Sequence, residues 1–81
     1  MSTTTFELTQ GEAACGVDLE DVHALRARAL VIDGGAAVVL PADLAPALTG
    51  AAARLALGGA VVFSGFNQFG QPVYRREETA R

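Results

Sequence analysis

Two apolar runs, Leu30-Val31-Ile32 and Ala36-Ala37-Val38-Val39-Leu40, stand on either side of Asp33-Gly34-Gly35. No other stretch narrows the possible folds as much. Asp33, Gly34 and Gly35 can supply the positive-φ positions of a tight I′ or G1-bulge turn, so residues 30–41 read as a β-hairpin. Pro41, which has no N–H, closes the second arm. Neither arm alternates apolar with polar residues, so both faces of the ribbon should be covered and the hairpin should lie at the centre of a sheet.

The flanking segments divide into edges and helices. Residues 3–9 alternate, with Thr4, Phe6 and Leu8 opposite Thr5, Glu7 and Thr9, which is the period of a half-buried edge strand. Thr9 and Glu12 have capping-box spacing, and Gly16 stands where a left-handed stop would end one helical turn. Cys15 is expected to pack on the inner side of that turn. Asp18 is a fitting N-cap for a helix running to about Ala27. In it Leu19, Val22, Leu25 or Arg26, and Ala29 recur at helical spacing, with Glu20 and Asp21 near the positive end of the helix dipole.

A further helix is predicted after Pro41. Asp43 would be its N-cap, Pro46 would lie in its first turn, and Leu44, Leu48, Ala51 and Leu55 would form its apolar stripe. Gly50 weakens it enough to allow a break, and Gly58-Gly59 ends it. Residues 60–64 and 72–76 form a second hairpin around the loop of residues 65–71. Pro72 and the arginines that follow mark the last strand as an edge. Residues 77–81 read as a frayed polar tail. These elements add up to an α+β fold: a small antiparallel or mixed sheet of about five strands, with one or two helices packed on one face.

Composition bears on how such a fold is completed. At 81 residues there is room for one domain, and sixteen alanines keep its core pieces small. Hydrophobic residues make up 51% against 19% charged, so part of the apolar surface should lie against another subunit or partner. The net charge is −3, and Arg26, Arg28, Arg54, Arg75, Arg76 and Arg81 are scattered, which argues against a nucleic-acid footprint. The lysine-free, alanine-rich usage points to a GC-rich bacterium, such as an actinobacterium, or its phage. A single cysteine excludes an intramolecular disulfide. With no leader pattern and no apolar run long enough to cross a bilayer, the expected setting is cytoplasmic, or a virion if phage-encoded.

Catalytic, cofactor and metal signatures are not found. Cys15 and His23 are the only soft or imidazole ligands, and Val62 stands where a nucleophile elbow around Ser64-Gly65 would need glycine. Asp18, Glu20 and Asp21 occupy successive helix directions and do not converge as an acid–base pair does. The segment Phe66-Asn67-Gln68-Phe69 differs from these. Two aromatics beside two amides between glycines have the composition of a contact surface, and with Tyr74 they are the candidate partner contacts. Whether Phe66 and Phe69 face a partner or fold back on the core is left open by the sequence.

The order of a glycine turn, Val38-Val39-Leu40-Pro41, Asp43-Leu44, Leu48, Leu57-Gly58-Gly59 and Val61-Val62-Phe63 resembles the swapped-hairpin dimeric fold of AbrB-type DNA-binding regulators and antitoxins. The likeness covers under half of the chain. It departs from the family's pattern at Ala36, where a basic residue is usual, at Gly59, where an acidic one is usual, and in the longer segment between Leu48 and Gly58. The resemblance implies a DNA-binding regulator. The residues themselves imply a non-enzymatic assembly module that associates with itself or with another protein, and this is the leading expectation.

Overall fold

The computed structural model describes residues 6–77. Along them run helix α1 (Gln10–Ala14), helix α2 (Leu19–Arg26), strand β1 (Leu30–Ile32), strand β2 (Ala37–Val39), helix α3 (Pro46–Leu57), strand β3 (Val61–Phe66) and strand β4 (Pro72–Arg76). The fold is α+β, with three helices and one antiparallel four-stranded sheet in the order β1-β2-β4-β3.

The helix starts follow local chemistry. Thr9 accepts from the Glu12 N–H and the Glu12 carboxylate accepts from the Thr9 N–H, a complete capping box, and Gly16 at φ 82° stops the chain after α1. Asp18 caps α2 through the Glu20 N–H at 3.2 Å. The start of α3 differs from expectation. Its N-cap is Ala45, with no side-chain hydrogen bond, and Pro46 occupies the first helical position, where the missing N–H costs nothing. Asp43 lies before the helix in a left-handed conformation at φ 65°. Gly50 does not break α3, which runs unbroken to a left-handed Gly58 at φ 75°.

Ala51, Ala52 and Ala53 are all fully buried. Successive residues step by 100° around a helix, so α3 is covered over more than half its circumference. It rests on β2, β3 and β4 on one side and carries α2 and α1 on the other. Val22 and Leu25 of α2, Val38, Leu40, Leu57 and Tyr74 complete the core around these alanines. The apolar stripe anticipated for α3 is therefore too narrow. Leu48 and Leu55 are only partly buried, and Leu44 lies outside the helix and is exposed.

The first hairpin turns as expected, with Asp33, Gly34 and Gly35 all at positive φ and the Ala36 N–H donating to the Asp33 carbonyl. Its place in the sheet is not central, however. β1 is an edge, and Leu30 is 62% exposed. β4, expected at an edge, lies between β2 and β3. Proline is tolerated there because Pro72 is the first residue of the strand. Its carbonyl still accepts from the Leu40 N–H at 3.1 Å, so only one rung end is lost. The arginines occupy the other end of β4, where both are exposed.

Among the described residues the strand count is four, because the segment anticipated as a strand at residues 3–9 is not one where it is described. Residues 6–9 are irregular, and residues 3–5 lie outside the described residues. Phe6 and Leu8 do alternate toward the core, but they pack against its buried cluster, with the Arg54 guanidinium of α3 over the Phe6 ring, and belong to no strand. Of the segment read as a tail, residues 78–81 also lie outside the described residues. Cys15 is exposed at the C-cap of α1, not packed inward.

Candidate functional site

Residues paired across a sheet share a face, so the register sorts every side chain. Val31, Val38, Tyr74 and Phe63 form one row, and this is the face under α3, because the Tyr74 hydroxyl lies 2.9 Å from that of Thr49. Ile32, Ala37, Arg75 and Val62 form a row on the opposite face, with Leu30, Val39 and Val73 beside it.

β3 breaks the alternation. Between Phe63 and Gly65 the register shifts by a β-bulge, with Gly65 at φ 108°. The extra residue returns Phe66 to the same face as Phe63. The two rings meet edge to face at 5.3 Å between centroids, and Phe63 meets Tyr74 in the same way at 5.5 Å. The row Phe66, Phe63, Tyr74 thus runs from the open edge to the covered core. Tyr74 is 8% exposed, Phe63 53% and Phe66 69%.

Among the described residues no strand pairs with the outer edge of β3. The Glu77 N–H donates to the Ala60 carbonyl and the Asn67 N–H to the Gln71 carbonyl, which fixes the β4-facing positions of this ladder. In an antiparallel ladder these positions alternate, so the N–H and C=O of Val61 and Phe63 point away from β4. β3 contains no charged residue and no proline, two of the devices that protect an edge, and its bulge at Ser64 and Gly65 leaves Val61–Phe63 regular.

The β3–β4 turn is held by Asn67. Its Oδ1 accepts from the Phe69 and Gln71 N–H groups at 2.9 Å each, and its Nδ2 donates to Gln71 Oε1 at 3.0 Å. Gly70 supplies the left-handed position at φ 76°. Asn67 thereby shapes the turn, while Gln68 and Phe69 stand exposed at its tip, Phe69 at 72%. Of the candidate contacts, then, Phe66, Gln68 and Phe69 lie on the surface, Asn67 is partly buried in the turn and Tyr74 is in the core. The aromatic the sequence reading did not single out is Phe63. The glycine inside the apolar strand pattern was the signal for the bulge that joins Phe63 to Phe66.

Beside the start of β3, Phe6, Arg54, Leu55, Gly58, Gly59 and Ala60 line a mainly apolar groove of about 590 Å³. Its one cation is already engaged. The Arg54 guanidinium pairs with the Glu12 carboxylate, reaches the Glu7 carbonyl and lies 4.7 Å from the centre of the Phe6 ring. On the far face of the sheet Arg75 pairs with Asp33 at 2.9 Å, and alternation puts Arg76 on the other face, so the two neighbouring arginines do not converge. His23 on α2, Cys15 at the end of α1 and Ser64 in β3 belong to three separate elements and are all exposed. Among the described residues no group of three or more His, Cys, Asp or Glu side chains is placed to hold a metal ion, and no helix is long and apolar enough to cross a membrane. Compared with known protein families, curated proteins and solved structures, the chain matches none.

Proposed function

We propose that this chain is a non-enzymatic assembly module that acts by associating with itself. One observation carries the reading: the uncharged edge strand β3, which presents unpaired backbone groups next to the exposed rings of Phe63 and Phe66. Aromatic side chains present roughly 150–250 Å² each. At 53% and 69% exposure these two rings leave about 250 Å² of apolar surface in water per chain. Two chains joined there would cover some 500 Å² from the rings alone, a substantial part of the roughly 1,200 Å² at which specific interfaces begin.

The lysine-free, alanine-rich composition suits a small accessory or structural protein of a GC-rich bacterium or its phage, acting in the cytoplasm or in a virion. Light scattering over a range of micromolar concentrations tests the reading. It predicts concentration-dependent association, and a strict monomer throughout the range would overturn it.

A further inference from the structure

The reading as an assembly module leaves open which surfaces meet and in what register. We infer that two copies join β3 to β3 in antiparallel fashion, about a two-fold axis at Val62, making one continuous sheet with α3 of both copies on the same side. This inference rests on the proposed self-association and specifies its geometry.

Three features of a single chain select a second copy as the occupant. The first is the edge itself. Its outward N–H and C=O groups belong to Val61 and Phe63, two residues apart, so a two-fold axis at Val62 sets Val61 of each copy opposite Phe63 of the other. Both such pairs can then exchange main-chain hydrogen bonds. An axis at Phe63 would instead bring the irregular bulge at Ser64 and Gly65 into the new ladder. The second is charge. β3 carries none, so pairing it with itself sets no like charges opposite one another.

The third is shape. In this register Phe66 of one copy comes level with the segment Gly58, Gly59 and Ala60 of the other, where the groove also lined by Leu55 opens. The bulge has already turned Phe66 to the helix face. Ridge and groove on one chain are thus complementary under the same operation that satisfies the edge, as an isologous interface requires. The other edge strand, β1, has only three residues against the six of β3.

Cysteine cross-linking reads the register directly. In a Cys15→Ala background, Val62→Cys puts the two thiols at a non-hydrogen-bonded pair, where opposed Cα atoms lie about 4.5 Å apart, within disulfide range. Leu30→Cys in the same background is the control, exposed on the other edge strand. At micromolar protein, pairing raises the local thiol concentration to the millimolar range, so Val62→Cys should form a covalent dimer about a thousandfold faster than Leu30→Cys.

That result, with a dimer by light scattering, supports the inference. A dimer in which Val62→Cys cross-links no faster than the control, or in which Leu30→Cys is the faster, overturns the β3 register but leaves self-association standing. A chain that stays monomeric and cross-links at neither site overturns both, and would leave the β3 edge to a strand from a different protein.

Discussion

The hydroxyl pair between Thr49 and Tyr74 ties α3 to the central strand of the sheet, and removing either member should have an unequal cost. The Thr49 hydroxyl donates to the Pro46 carbonyl at 3.1 Å, so its single proton is used and Tyr74 must be the donor across the 2.9 Å contact. Thr49 is 2% and Tyr74 8% exposed, so water cannot readily replace a lost partner. In Tyr74→Phe the threonine keeps Pro46, and the loss is that of one neutral hydrogen bond, about 0.5–1.5 kcal/mol. In Thr49→Val, which is nearly isosteric, the buried phenol is left without an acceptor, and the cost rises to about 1–3 kcal/mol.

The double variant exchanges both polar groups for apolar ones of similar shape, so it should be less destabilised than the sum of the singles, with a coupling of about 1 kcal/mol. Urea denaturation followed by circular dichroism at one fixed protein concentration measures all four chains. Each kcal/mol should also lower the melting temperature by about 4–8 °C in a domain of this size. If Thr49→Val were no more costly than Tyr74→Phe, or the two changes simply added, the assignment of donor and acceptor would be refuted.

Two glycines should respond in opposite directions to alanine. Gly50 lies in the interior of α3, and a Cβ there would meet only the Tyr74 hydroxyl, at an ordinary 4.0 Å. Gly50→Ala should therefore stabilise by about 0.5–1 kcal/mol. Gly58 holds the left-handed end of the same helix with open space around it, so Gly58→Ala should destabilise by about 1–2 kcal/mol through backbone conformation alone. Thermal melts of the two variants side by side check the signs. Phe66→Asp should leave the far-ultraviolet spectrum and the melting cooperativity intact, since the ring is exposed, while shifting light scattering toward the monomer.

Local chemistry was largely legible along the chain. The capping box at Thr9 and Glu12, the Asp18 cap and the left-handed stops at Gly16 and Gly58 each depend on a few adjacent residues, and each forms as read. Pairing order was not legible, because it depends on partners far away in sequence. Pro72 and its arginines carry the marks of an edge, yet as the first residue of β4 the proline gives up only one rung end, and the strand can sit inside the sheet.

The alanine triplet of α3 similarly looks like low-volume filler until α2 and the sheet are seen to close on it from two sides. In the candidate surface, the composition of residues 66–69 singled out the turn between β3 and β4. Strict alternation, however, would have put Phe66 and Phe63 on opposite faces, and only the bulge at Gly65 places them together.

Amide hydrogen exchange at Val61 and Phe63 tests the central claim most directly. In an isolated chain these N–H groups face the open edge of β3, as the Val31 N–H, by the same alternation, faces the open edge of β1. The account predicts that Val61 and Phe63 are protected at concentrations where the chain associates and lose that protection on dilution, while Val31 exchanges fast throughout. Exchange at Val61 and Phe63 as fast as at Val31, under conditions where the chain is associated, would contradict it.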